Sequence, residues 1–181
     1  MKKRIFIGSF VNIPDFRKKY TRIKKEFGGV IGGRWIPEEN FHITFKFIGD
    51  ISDNQINLIK QSLSAELDKD IQVSLQFKGL NAFPNIYNPR VFFINVYDST
   101  GVLEQMNQSI NRKLSYLGFP ADNKPFKPHI TLKRIKSVKK ELFIERIKEF
   151  ENALFGEQKS IQINIIESIL RPEGALYKKV E

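Results

Sequence analysis

Residues 41–48 read FHITFKFI, and residues 128–135 read PHITLKRI. The two segments share His-Ile-Thr, and His42 and His129 are the only histidines in the 181-residue chain. Threonine is also scarce, so two histidines that each have a threonine two positions later indicate a repeated motif rather than a chance of composition. The copies fall near one quarter and three quarters of the chain, which is the spacing expected of two similar lobes.

Both segments have the alternating pattern of a half-buried β-strand. In a strand, residues i and i+2 point to the same face. One face of each segment is apolar and predicts contact with a core, whereas the other is polar and predicts a cleft. The polar face carries His42, Thr44 and Lys46 in the first copy and His129, Thr131 and Lys133 in the second.

Two simpler interpretations compete with a catalytic one. A single histidine on a polar strand face is usually a solvated surface residue, but two copies with matching threonines and lysines weaken that interpretation. A zinc site would need further ligands, and the chain has no cysteine and no Asp or Glu on these two faces. We therefore expect no metal and no other cofactor.

The pair of motifs suits phosphoryl chemistry. Two imidazoles facing one cleft can act as general base and general acid, because an unperturbed imidazole titrates near pH ~6.5. Histidines from two lobes would lie on opposite sides of a phosphorus atom, as in-line displacement requires. Threonine hydroxyls can bind the non-bridging oxygens, where negative charge develops in the transition state. A strained five-membered cyclic phosphate would need no metal.

The composition favours a polyanionic partner. Lys and Arg number 30 against 20 Asp and Glu, so the net charge is +10 and the pI is about 9.7. Basic side chains that contact phosphates release counterions, which favours nucleic acid as the partner. The lack of cysteine predicts a reducing, cytoplasmic location. No apolar stretch approaches the ~20 residues of a membrane span, so we expect that the protein binds no membrane. We also expect it to be a monomer.

The pattern along the chain predicts one α+β domain of two lobes over residues 1–181. No linker or low-complexity stretch divides it. Apolar residues at helical spacing predict helices at about 16–27, 56–67, 103–117 and 143–150. Strands are predicted at 4–10, 41–48, 71–79, 90–97, 129–135, 159–170 and 175–180.

Several blocks in this order resemble the 2H phosphoesterases, whose signature is two His-x-(Ser/Thr) motifs about half a chain apart. Among them the chain is similar to the bacterial and archaeal RNA 2′,3′-cyclic phosphodiesterases, also named 2′-5′ RNA ligases. The His-x-Thr motif alone is weak evidence, but the ordered set of blocks is specific. The matching blocks are residues 4–8, 34–50, 83–84 with 89–91, 128–134, 168–170 and 174–177.

The resemblance implies a bilobal, pseudo-two-fold fold in which two antiparallel sheets flank a central cleft and helices pack on the outside. It also implies metal-free hydrolysis of RNA 2′,3′-cyclic phosphate ends to 2′-phosphates. By position, His42 would be the proton donor and His129 the proton acceptor. Thr44 and Thr131 would bind the phosphate.

Three basic residues near the motifs are further candidates for substrate binding. Arg134 matches an arginine of the family, yet strict alternation places it on the apolar face unless the strand ends, twists or bulges. Lys46 and Lys133 are not part of the family signature. They either bind phosphate or lie in solvent at the mouth of the cleft. Phe83, in a loop before Pro84, is a candidate for stacking on a base.

Other functions remain open on the sequence alone. The same two histidines would serve another 2H activity, such as a 2′-5′ phosphodiesterase or a nucleotide cyclic phosphodiesterase. A non-catalytic module that binds RNA ends belongs to a different class, but binding does not need a proton-transfer pair. Reverse 2′-5′ ligation is expected to be weak, because opening of the cyclic ester in water runs toward hydrolysis.

Overall fold

The chain folds into four helices and ten strands, and the computed structural model describes residues 1–181. The helices are α1 (Phe16–Phe27), α2 (Asp53–Ser62), α3 (Val102–Ser115) and α4 (Lys140–Glu149). The strands are β1 (Lys2–Phe10), β2 (Ile31–Gly32), β3 (His42–Ser52), β4 (Ile71–Phe83), β5 (Val91–Asp98), β6 (His129–Arg134), β7 (Ser137–Val138), β8 (Leu154–Ile161), β9 (Asn164–Arg171) and β10 (Gly174–Lys179). No helix is long and apolar enough to cross a membrane.

The strands form two four-stranded antiparallel sheets that meet at the motif strands. The first sheet has the order β10-β9-β1-β3, and the second has the order β6-β5-β4-β8. The motif strands β3 and β6 are therefore edge strands, and they lie against each other where the sheets meet. The expected α+β fold with two antiparallel sheets is confirmed.

Each sheet is covered on its outer face by two helices, and neither α1 nor α3 packs on the sheet of the motif strand that follows it. Helices α2 and α3 pack on the first sheet, whereas α1 and α4 pack together on the second. The chain therefore passes between the sheets several times, and two of these passages lead into the motif strands. Residues 28–41, the first crossover, lead from α1 to β3. Residues 116–128, the second crossover, lead from α3 to β6.

The helices form where apolar residues recur at helical spacing, and they bury that stripe. In α1 the buried positions are Phe16, Tyr20, Ile23 and Phe27, with spacings of three and four residues. Helix α2 begins with a capping box between Ser52 and Gln55. The apolar stripes and the inner sheet faces merge into one cluster of 38 buried residues, so the two lobes share a core.

One sequence-based prediction was wrong. Residues 159–170 do not form one strand but the end of β8 and most of β9, which belong to different sheets. The chain turns between them beside Asp68, whose backbone N–H donates to Ile163 O at 3.0 Å. The Asp68 carboxylate also accepts a hydrogen bond from Asn164 Nδ2 at 2.8 Å. These bonds fix the passage from one sheet to the next, and an apolar pattern does not encode them.

Tyr20 holds the first crossover against the second motif strand. Its ring is 1% exposed, and its hydroxyl donates to Ile36 O at 2.6 Å. The Ile36 N–H in turn donates to Leu132 O at 2.8 Å. Burial raises the pKa of the Tyr20 hydroxyl, which therefore stays protonated and able to donate.

We expect Tyr20→Phe to lower the free energy of unfolding by about 1–2 kcal/mol, because the part-buried Ile36 carbonyl loses its hydroxyl donor. Urea denaturation of wild type and variant measures the difference. Tyr116→Phe is the matched control, since Tyr116 is 84% exposed. An equal loss in the two variants would contradict a specific role for the Tyr20 hydroxyl.

Candidate active site

The first motif strand contains a β-bulge immediately after its threonine. Gly8 of β1 lies opposite Thr44, but the preceding Ile7 lies opposite Lys46. Phe45 is therefore an extra residue on β3. A bulge of this kind places two successive side chains on the same side of the sheet and shifts the alternation by one residue.

The second motif strand has the same bulge at the same place. Phe93 of β5 lies opposite Thr131, and Phe92 lies opposite Lys133, so Leu132 is the extra residue. The two motifs thus agree in backbone irregularity as well as in sequence. This agreement supports the two-lobed, duplicated arrangement.

The bulges move both lysines off the cleft face, so their expected position was wrong. Lys46 is 2% exposed and Lys133 is 3% exposed. Each lies opposite a fully buried core residue of the neighbouring strand. Strict alternation fails here because it takes no account of the extra residue. Neither lysine is retained as a phosphate ligand, and neither lies in solvent at the cleft mouth.

The same bulges return the following residue to the cleft face. In β3 that residue is Phe47, which is 65% exposed and pairs with Phe6 of β1. In β6 it is Arg134, which is exposed. The expected conflict between Arg134 and strand alternation is thus resolved by a bulge. The lobes differ at this position, since one offers an aromatic ring and the other a guanidinium.

Both histidine rings are oriented by a backbone carbonyl two residues earlier. His42 Nδ1 lies 2.7 Å from Asn40 O, and His129 Nδ1 lies 2.7 Å from Lys127 O. A carbonyl can only accept, so each Nδ1 carries the proton and donates it. In the neutral ring this leaves the Nε2 lone pair free to take a proton from a substrate or water.

Aromatic side chains pack around each histidine and restrict its rotation. Sequence reasoning did not single out Phe6, Tyr177 or Phe93 as neighbours of the histidines, because they come from strands distant in the chain. The signal that could have identified them is that each is an aromatic residue on the cleft face of its strand, β1, β10 or β5. The ring-centroid distances are 4.8 Å from His42 to Phe6 and to Tyr177, 4.7 Å from His129 to Phe83, and 5.0 Å from His129 to Phe93.

Burial and nearby positive charge lower the pKa of both histidine rings. Desolvation is the main cause that lowers the pKa of His42, with His129 and Arg134 lowering it further and the Asn40 carbonyl opposing them. Desolvation also lowers the pKa of His129, again assisted by Arg134. The two histidines and Arg134 therefore share one electrostatic site. Thr44 and Thr131 lie partly exposed on the same faces as the histidines.

The side chains gathered at this site can exchange protons and bind an anion. No group of three or more His, Cys, Asp or Glu side chains anywhere in the molecule could hold a metal ion. The site offers two free imidazole nitrogens, two hydroxyls and one guanidinium. Such a set can bind a phosphate group and exchange protons on both sides of it.

Comparison with known proteins matches this arrangement. The family model described as LigT-like phosphoesterase fits the chain twice, over residues 11–93 and over residues 96–177. The chain belongs to the LigT-like phosphoesterase family. Each match contains one His-x-Thr strand, β3 in the first match and β6 in the second.

Two curated relatives cover nearly the whole chain, and both are named RNA 2′,3′-cyclic phosphodiesterase. The protein from Archaeoglobus fulgidus is 35% identical over 176 residues, which are 97% of this chain and 96% of the relative. The protein from Aquifex aeolicus is 32% identical over 179 residues, which are 98% and 95%. Family and relatives together make the chain a cyclic phosphodiesterase of the 2H class, as the resemblance implied.

Solved structures agree in fold. The protein TT0787 of Thermus thermophilus has a TM-score of 0.75 at 23% identity, covering 98% of this chain and 95% of its own. Escherichia coli LigT complexed with 3′-AMP has a TM-score of 0.73 at 16% identity, covering 100% and 97%. The bilobal LigT-like architecture is thus kept at low sequence identity.

We expect Arg134→Gln to raise the pKa of both histidines, because the guanidinium disfavours a second positive charge in the cleft. In wild type both pKa values should lie below the ordinary ~6.5. The two imidazole Hε1 signals in a proton NMR titration report each ring separately. Arg17→Gln, on the exposed face of α1, serves as control. A rise at only one histidine would contradict the shared electrostatic site.

Proposed function

We propose that the chain hydrolyses RNA 2′,3′-cyclic phosphate termini to 2′-phosphomonoesters by a two-histidine mechanism that needs no metal. The observation that supports this most is the equivalent tautomer of the two rings. Each Nδ1 is held by a carbonyl at 2.7 Å, which leaves each Nε2 available in the cleft. Two such groups are sufficient for proton transfer to and from the oxygens on either side of a phosphorus atom.

In the proposed reaction His129 is the base and His42 is the acid. His129 Nε2 takes a proton from a water molecule, whose oxygen attacks phosphorus. The bond from phosphorus to the ribose 3′ oxygen breaks in line, and protonated His42 gives its Nε2 proton to that oxygen. The product keeps the phosphate on the 2′ oxygen. In the reacting complex both Nδ1 atoms carry a proton and only His42 carries a second one, on Nε2, because two imidazoliums would repel each other.

Thr44, Thr131 and Arg134 are the proposed phosphate ligands. The threonines share the cleft face with their histidines, and each hydroxyl can donate to a non-bridging oxygen. Arg134 can donate two parallel hydrogen bonds to the same group. A bound phosphate would also offset the effect of Arg134 on the histidines, which makes protonation of His42 easier in the complex.

Features outside the histidines favour RNA as the substrate. The net charge of +10 favours a polyanion. A groove of about 530 Å³ adjoins His129, and Phe83, Asn95, Tyr97 and Lys127 are among its lining residues. Aromatic rings and amides of this kind stack and hydrogen-bond unpaired bases. The relatives' shared name, RNA 2′,3′-cyclic phosphodiesterase, points to the same substrate. Because one chain supplies both histidines, we expect the active unit to be a monomer.

The first test is a short RNA ending in a 2′,3′-cyclic phosphate, incubated with the protein in EDTA. We expect conversion to the 2′-phosphate in wild type. His42→Ala and His129→Ala should each reduce the rate by about 10²–10⁴, the usual contribution of a general acid or base. Chromatography against 2′- and 3′-phosphate standards identifies the product.

The outcomes of this test separate the candidate functions. Loss of activity in EDTA, restored by a divalent ion, would overturn the metal-free mechanism. No turnover, with RNA affinity unchanged in both alanine variants, would favour a module that binds RNA ends. Ligated product should be scarce, because water competes with the 5′ hydroxyl of a second RNA. Product with a 3′-phosphate would contradict the proposed direction of opening.

The acid and base roles can be separated with a substrate whose 3′ bridging oxygen is replaced by sulfur. A thiolate leaves without a proton, so the sulfur substrate should restore most of the rate of His42→Ala and little of the rate of His129→Ala. The ratio of kcat/KM for the sulfur and oxygen substrates measures this in each variant. Rescue of His129→Ala alone would reverse the two roles.

A further inference from the structure

Lys46 is a buried cation that binds the second crossover rather than the cleft. Its ammonium donates to Asn111 Oδ1 at 2.8 Å, to Pro120 O at 2.7 Å and to Asp122 Oδ1 at 3.2 Å. These three acceptors use all three of its protons. Burying a lysine is unfavourable unless its charge is bonded in this way, so the geometry of the contact is strongly determined.

Lys133 occupies the equivalent position in the other motif strand and binds the first crossover. Its ammonium donates to Ile31 O at 2.9 Å and lies 4.1 Å from the centre of the Trp35 ring. Gly33 lies between these partners, and a Cβ there would meet Arg134 O at 2.3 Å. The first crossover thus passes very close to β6 at Gly33, and Lys133 contacts it on either side of that point, at Ile31 and at Trp35.

One partner of each lysine lies seven residues before a histidine. Asp122 comes seven residues before His129, and Trp35 comes seven residues before His42. Each crossover ends with the carbonyl that binds the Nδ1 of the histidine that follows. The lysine of one motif therefore fixes the segment that orients the histidine of the other motif.

We propose that each lysine is a positioning residue for the histidine of the other motif, so that Lys46 sets the orientation of His129 and Lys133 sets the orientation of His42. This inference rests on the proposed function in that the two histidines are the reacting pair. An apolar residue would fill the same space at lower desolvation cost, but it could not bind specific carbonyls and so would not fix the crossover. Because each ring is oriented through a lysine of the other motif strand, the relative placement of the two rings depends on both lobes.

The test uses Lys46→Met and Lys133→Met, with imidazole nitrogen chemical shifts as the first readout. The chain has two histidines, so each ring is assigned by comparison with a His→Gln variant. We expect Lys46→Met to move the ring of His129 away from the Nδ1–H form and to leave His42 unchanged. Lys133→Met should change His42 and leave His129 unchanged. This crossed pattern does not depend on any turnover.

The second readout is kinetic. Each variant should lower kcat by about tenfold or more with little change in KM, because misorientation of a reacting group affects the chemical step. Lys140→Met is the matched control, since Lys140 is exposed in α4 and should behave as wild type. If wild type proves inactive, the proposed function fails, yet the crossed nitrogen shifts still decide the positioning roles.

Milder variants guard against loss of folding. Asp122→Ala removes one partner of Lys46, and Trp35→Leu removes the ring beneath Lys133. Each should reproduce the pattern of its lysine variant with smaller shifts. Changes at the histidine of the same strand, equal changes at both histidines, or a lower Tm with unchanged nitrogen shifts and kcat would overturn the proposal.

Discussion

The structure depends on how two buried carbonyls are satisfied. Each motif strand has a bulge after its threonine, and the extra residue interrupts the regular hydrogen bonds of the sheet. Phe45 O accepts from Asn107 Nδ2 of α3 at 2.8 Å, and Leu132 O accepts from Ile36 N of the first crossover at 2.8 Å. Without these partners Phe45 O would lose its side-chain donor and Leu132 O would keep the longer bond from the Tyr20 hydroxyl at 3.4 Å, and proteins rarely leave buried carbonyls poorly paired. The bulge, the neighbouring helix and the crossover are therefore mutually dependent.

The electrostatics of the cleft combine two opposing requirements. A general base must be neutral before the reaction, and burial together with Arg134 lowers the pKa of both histidines. A general acid must be protonated, and the same forces oppose that state. A substrate with a negative phosphate changes this balance, because the phosphate offsets the positive charge of Arg134 and so makes protonation of a histidine easier. The arrangement thus favours a protonated histidine when an anion is bound and disfavours one when the cleft is empty.

The sequence predicted much of this site because its main elements depend on local patterns. The repeated His-Ile-Thr, the alternation around it and the capping box at Ser52 are all visible without a structure, and the strand and helix at these places formed as predicted. The lysines were misplaced because a bulge has no clear local pattern. Phe6 and Tyr177 could not be placed beside His42, because β1 and β10 join the first sheet through long-range pairing. The passage between β8 and β9 depends on Asp68, which is distant in sequence and gives no signal in the strand itself.

The order of strands in the first sheet has a consequence for synthesis of the chain. Strand β1 pairs with β9, so Ile5 lies opposite Glu167, and β1 cannot complete its sheet until β9 has been made. Tyr177, which packs on His42, is made later still. The second sheet likewise needs β8 to cover β4. A growing chain therefore contains both motif strands before it contains β9 and β10, and the cleft is completed only once those two strands have been made.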